Sequence, residues 1–239
     1  MLKDGSKPLH IVIAGANGGI GGALVKYCQQ RSDVAQIYAL SRQVVSGDKV
    51  IHLPLDYDNP DRLDDIAKSI PELDILIIAT GALTHRESGP EKRISDVSIP
   101  ELSGLYQVNA MGPIMLARAL APLFPKHTPS VCLAISARVG SISDNHLGGW
   151  YAYRASKAGL NMLFRSLAIE LKRTTECCVS LYHPGTVSSP GFAPYQTHTD
   201  PSHIKSPETA ASELWQHMMN LSQDHSGKLM DYQGKDITF

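Results

Sequence analysis

In the segment 135–157, ISARVGSISDNHLGGWYAYRASK, Tyr153 is followed four residues later by Lys157. On a helix, positions i and i+4 share a face, so a phenol and an ammonium would lie side by side. A free phenol has a pKa near ~10, and a neighbouring ammonium lowers it by stabilising the phenolate. Such a pair suits a general acid/base that gives a proton to a carbonyl oxygen or takes one from an alcohol. Tyr151 has Ala155 at i+4 and stands beside Trp150, so it reads as a packing or pocket-wall aromatic.

A second group of residues suits a nucleotide. HIVIAGANGGIGGALVKYC reads as a buried strand, a glycine turn and a helix start, with Gly15, Gly19 and Gly21 in GxxxGxG spacing. Glycine lets backbone approach closely, and a helix N-terminus offers free N–H groups to a pyrophosphate. The next strand ends in IYALSRQ, placing Ser41 and Arg42 where NAD-selective sites carry an acidic residue. A guanidinium and a hydroxyl suit a 2′-phosphate, and no carboxylate is there to repel that phosphate, so NADP is expected over NAD.

These residues need a scaffold that brings strand ends together. Strand-length apolar runs, HIVIAG, IYALS, VIHLPL, DILIIAT, SVCLAIS and CCVSLYHPG, alternate with helix-period segments near 19–31, 60–69, 101–124, 149–173 and 206–222. That alternation predicts an α/β fold, a Rossmann-type doubly wound parallel sheet with helices on both faces. A length of 239 residues fits one domain, 1–239. Two polar segments follow predicted strands, where open α/β sheets bind ligands. The segment 84–98 reads as a solvated connector, and 188–206, with Phe192, Pro194 and Tyr195, as a candidate substrate loop.

A formal charge of -1 gives no basic surface for nucleic acid or anionic membrane. The apolar run Leu9 to Ala14 is too short for a signal peptide core or a membrane span. Cys28, Cys132, Cys177 and Cys178 lack CxxC spacing and read as buried thiols of a reducing cytoplasm. The ten histidines lack metal-site spacing, and no metal is expected.

Taken together the chain resembles the short-chain dehydrogenase/reductase family, most like its C-factor and sniffer-type carbonyl reductases. The loop Gly15-Ala16-Asn17-Gly18-Gly19-Ile20-Gly21 is similar to the family's cofactor loop, and Tyr153-Arg154-Ala155-Ser156-Lys157 to its YxxxK motif. The resemblance implies that Asn109 holds the central helix and a relay water, and that Asp56 contacts adenine. Gly81 belongs to the family's segment after the fourth strand. By the same resemblance Thr186 and the Val187 backbone hold the nicotinamide carboxamide, Pro184 and Gly185 belong to the same cofactor-binding segment, and Lys157 also binds the ribose. The segment IATGA (78–82) lacks the family's asparagines, and Ala137 stands where its substrate-orienting serine is expected. Ser141, slightly ahead of Ser136, is the candidate replacement, because a serine inside a strand can point into the core; Ser143 and Ser156 read as structural.

The implied activity is NADP-dependent hydride transfer between nicotinamide and a small or medium carbonyl or alcohol. The alternative is an NADP(H)-binding regulatory or cell-signalling protein with vestigial catalysis. The apolar helices 101–124 and 149–173, with the resemblance, imply a homodimer or homotetramer.

Overall fold

A computed structural model describes residues 7–59, 61–85, 89–189 and 200–239. Its centre is an eight-stranded sheet built from β1 (Leu9–Ala14), β2 (Val34–Ser41), β3 (Val50–Pro54), β4 (Ile75–Ile78), β5 (Ser130–Ile135), β6 (Cys177–His183), β9 (Leu229–Asp231) and β10 (Asp236–Ile237). In space the order is β3-β2-β1-β4-β5-β6-β9-β10, parallel throughout except for antiparallel β10. The strands are continuous apolar runs because both faces are covered. In β1, Val12 and Ala14 pack on one face, with Leu116, Leu160 and Phe164. Leu9, Ile11 and Ile13 pack on the other, with Leu24, Leu214 and Trp215. Fully burying one such Leu or Ile contributes about 1.5–3 kcal/mol, and both layers repeat the pattern many times over.

Helices α1 (Gly19–Gln29) and α6 (Pro207–Met219) cover one face; α2 (Arg62–Lys68), α4 (Gly112–Leu120) and α5 (Tyr151–Leu171) cover the other. The single helix expected over 101–124 is instead α3 (Ile99–Tyr106), one π turn (Gln107–Met111) and α4. Pro113 has no N–H, so it cannot supply the bond that a regular helix would direct to the Asn109 carbonyl, and the ladder widens there. A small two-stranded sheet, β7 (Thr186–Val187) with β8 (Ile204–Lys205), follows β6. These two strands, with β9 and β10, are two or three residues each, too short to leave a period in the sequence. The chain runs outward from β1 through β2 and β3, then from β4 the opposite way, so a crevice opens at the carboxyl ends of β1 and β4.

Candidate active site

The crevice holds a cavity of about 350 Å³ that runs from the glycine turn to Tyr153 and Lys157. At the glycine end the chain leaves β1 through Gly15, φ +82°, whose N–H bonds the Leu40 carbonyl at 2.8 Å. A side chain at Gly15 would meet the Ala79 backbone at 2.9 Å, and one at Gly21 would overlap the Gly15 carbonyl oxygen. Both glycines are therefore required by close backbone packing. Gly18 caps α1 without a side-chain bond and the first turn holds no acidic residue, so its N–H groups and positive dipole end stay open to an anion. Gly18, Gly19 and Ile20 line the cavity, while Asn17 is exposed and donates to the Gln43 side chain at 3.2 Å.

Arg42 stands exposed at the end of β2. Ser41 does not share that position: it is buried, and its hydroxyl donates to the Gln43 carbonyl at 2.7 Å, which leaves Arg42 as the available donor. Asp56 is exposed after β3, with Oδ1 accepting the Asp58 N–H at 3.1 Å. These features give a dinucleotide a glycine cradle, an uncapped helix end and a guanidinium at its adenosine end, and the residues present fit that group.

At the other end Tyr153 and Lys157 are both buried on α5 and both line the cavity, with Lys157 Nζ 6.0 Å from the Tyr153 ring centre. The ammonium donates to the Ile135 carbonyl at 3.0 Å. Burial lowers its pKa to about 8 and pushes the Tyr153 phenol above its ordinary value. The ammonium-lowered phenol expected from spacing is not what burial produces here: desolvation raises the phenol, because it favours the neutral forms of both groups. A neutral phenol is the proton-donating form.

Asn109, fully buried at the centre of the π turn, ties α5 to the segment after β4. Its Oδ1 accepts the Ala82 N–H at 2.9 Å, and its Nδ2 donates to the Ala82 carbonyl at 2.9 Å and to Ser156 Oγ at 3.0 Å. Ser156 in turn donates to the Tyr153 carbonyl at 2.8 Å, the structural role its position suggested. Gly81 lines the cavity here, and a side chain on it would sit 3.2 Å from Asn109 Oδ1.

The two candidate serines are not equivalent to a hydroxyl at 137. Ser141 is absent from the cavity wall; its hydroxyl donates to the Thr238 carbonyl near the C-terminus. Its preference over Ser136 is corrected by that geometry: Arg138 and Val139 of the short helical turn 138–140 still line the cavity, and Gly140 and Ser141 after them do not. Ser136 lines the cavity, but its hydroxyl donates to Asn161 Oδ1 at 2.6 Å. Ala137 occupies the wall beside it.

Tyr151 is likewise corrected: it is 39% exposed, and Trp150 takes the place in the wall. The connector 84–98 is also less solvated than its charges suggest. Gly89, Pro90 and Glu91 are buried; Glu101, which accepts from Thr84 Oγ1 at 2.8 Å and the His85 N–H at 2.9 Å, is buried too. Residues 86–88, and the substrate-loop residues 190–199 with Phe192, Pro194 and Tyr195, lie outside the described residues.

Pro184, Gly185, Thr186 and Val187 line the cavity, together with two residues that the sequence did not single out, Arg138 and His183. Arg138 reaches Asp144 at 3.2 Å and buried Asp231 at 3.3 Å. Burial lowers His183 to about 4, so its ring is neutral at physiological pH. The sequence signals for them were weak: Arg138 stands three residues past the end of β5, and His183 opens the HPG segment. All four cysteines are buried free thiols, and no group of three or more metal-ligating side chains occurs among the described residues. No described helix is long and apolar enough to cross a membrane.

The family model of the short chain dehydrogenases matches residues 9–200, which span strands β1 to β6, the glycine turn and the Tyr153–Lys157 helix. The chain belongs to that family. Proteins similar to it include C-signal of Myxococcus xanthus, 30% identical over 165 residues, covering 69% of this chain and 92% of that one. A second is 1-hydroxy-2-glutathionyl-2-methyl-3-butene dehydrogenase of Rhodococcus sp. (strain AD45), 25% identical with 96% and 97% covered. Among solved structures, the carbonyl reductase Sniffer of D. melanogaster superposes with a TM-score of 0.84 at 24% identity over 98% of this chain and all of that one. The NADPH-bound carbonyl reductase from chicken fatty liver gives 0.83 at 21% identity over 98% and 95%. Both establish the family's fold in this chain.

Proposed function

We propose that this short-chain dehydrogenase is an NADP(H)-dependent carbonyl reductase, acting on small or medium carbonyl compounds or the matching alcohols. One observation carries the reading: a single cavity joins an open helix N-terminus at Gly18 and Gly19 to the buried pair Tyr153 and Lys157. NADPH, when bound, supplies hydride to the carbonyl carbon. The glycine turn and the first turn of α1 hold its pyrophosphate, and Arg42 meets the 2′-phosphate. Residues 184–187 form the wall beside the nicotinamide. The Tyr153 phenol gives its proton to the carbonyl oxygen and takes it back in the alcohol direction. Lys157, anchored on the Ile135 carbonyl, fixes a positive charge below the phenol and stabilises the phenolate left after transfer. Asn109, through Ser156 and Ala82, keeps α5 in register with β4 so that this geometry persists.

The four buried thiols support a reducing compartment, the cytoplasm. Exposed Met162 and Ile169 on α5 support a homodimer or homotetramer, which light scattering reads directly; a monomer at micromolar concentration contradicts it. The wall residue Ala137, with both nearby serine hydroxyls engaged, favours one second reading: an NADP(H)-binding regulator with weak turnover, as the 30% identity to C-signal also suggests. Following NADPH oxidation with a panel of aldehydes, ketones and quinones separates the two. Turnover of any member supports the reductase, and tight NADPH binding without turnover supports the regulator.

A further inference from the structure

Trp150 has backbone angles φ 52°, ψ 44°, in the left-handed region that bulky residues avoid. It is the third of three consecutive positive-φ residues, after Gly148 at 64° and Gly149 at 63°. Such a conformation persists only where surrounding structure enforces it, and here the enforcement is visible. The Trp150 N–H donates to the Glu91 carbonyl at 2.6 Å. The Glu91 side chain, 1% exposed, receives the Ala152 N–H at 3.4 Å on each carboxylate oxygen. Arg154 Nε donates to the Gly149 carbonyl at 3.0 Å. The result is an indole in the cavity wall, edge-on to the Tyr153 ring with centroids 6.1 Å apart and planes at 68°. Ala82, Ala137 and Val139 belong to the same small apolar cluster and also line the cavity. Among the described residues the indole is thus the one aromatic in the wall besides Tyr153 itself, next to short aliphatic groups on one side and the polar residues Arg138 and His183 farther along.

We propose that Trp150 is a specificity-determining residue that selects planar, conjugated carbonyl substrates such as quinones and aryl aldehydes. The inference rests on the reductase reading for its turnover test only. An indole face packs against a flat ring through offset or edge-to-face contacts that a puckered ring cannot match. The strain at residue 150 keeps that surface beside the phenol rather than letting it turn outward.

The test compares benzaldehyde with cyclohexanecarbaldehyde, rings of similar size and different shape, in the parent, Trp150→Gly and Trp150→Phe. Glycine adopts the left-handed angles freely, so Trp150→Gly is expected to fold; Trp150→Asn, whose side chain tolerates that region, carries the same test if it does not. The proposal expects the preference in kcat/KM for benzaldehyde to fall about three- to tenfold in Trp150→Gly and to survive in Trp150→Phe. An equal loss on both aldehydes, which a merely structural role would give, overturns it, as does no loss. Menadione binding by equilibrium dialysis separates this from failure of the reductase reading. If the parent reduces nothing, weaker menadione binding in Trp150→Gly still supports the aromatic wall, and unchanged binding overturns it.

Discussion

The two ends of the cavity are built from different materials. The glycine end is made of backbone: Gly15, Gly18, Gly19 and Gly21 bring main-chain N–H groups to a helix start, and few side chains are involved. The reactive end is made of side chains held by other side chains and by loops, from Asn109 and Ser156 behind Tyr153 to Glu91 behind Trp150. A backbone site tolerates almost no substitution at its glycines and varies little in what it binds. A side-chain site keeps its acid and its lysine while exchanging wall residues, as Ala137 shows.

The sharpest way to break that contrast is at Gly15. Gly15→Val places a branched side chain at φ +82° against the Ala79 backbone, and is expected to weaken NADPH binding at least about 100-fold and to cost about 1–3 kcal/mol in stability. Isothermal titration and thermal unfolding read both, and near-parental binding would show that the turn is not the cofactor cradle. At the other end, a Lys157 pKa of about 8 makes kcat/KM for carbonyl reduction fall as pH rises through about 8, because the stabilising ammonium is lost there. Lys157→Arg, charged across that range, should flatten the fall even if its maximum is lower; an unchanged alkaline limb contradicts the assignment. Between the folded value of about 8 and the ordinary 10.5, the unfolded chain binds more protons at Lys157, so stability from this group rises with pH over that window.

A smaller effect separates Arg42 from its neighbour. Arg42→Ala should narrow the preference for NADPH over NADH about tenfold, the worth of a charge-assisted hydrogen bond, whereas Ser41→Ala should leave the ratio within about twofold. Equal affinity of the parent for both cofactors would remove the argument. The smallest effect is expected at Ser141. Ser141→Ala should cost about 1 kcal/mol of stability through its tie to Thr238 and leave kcat/KM within about twofold. A tenfold loss of turnover would return Ser141 to the site.

What could be read from the chain alone follows the same division. Strands β1 to β6 are apolar runs bounded by turn residues, and the Gly15 turn and the Tyr153–Lys157 spacing are local patterns, so each is legible without knowing the fold. The position of Ser141 was not, because it depends on a three-residue helical turn and on where residue 238 lands, 97 positions away. Which of Trp150 and Tyr151 enters the cavity is likewise hidden, because it depends on a left-handed residue just before the helix. Helix periodicity carries no information about that residue. Burial of Glu91 and Glu101 was hidden for a similar reason: their partners, Ala152, Thr84 and His85, belong to other elements or to a connector.

Tyr153→Phe tests the central claim most directly, measured for NADPH affinity and for single-turnover oxidation of bound NADPH by a reactive quinone or aldehyde. The account predicts affinity within about threefold of the parent and a rate lower by at least about 100-fold, since the phenyl ring keeps the wall and lacks the proton. A variant that binds NADPH normally and reduces carbonyls at the parental rate would contradict it.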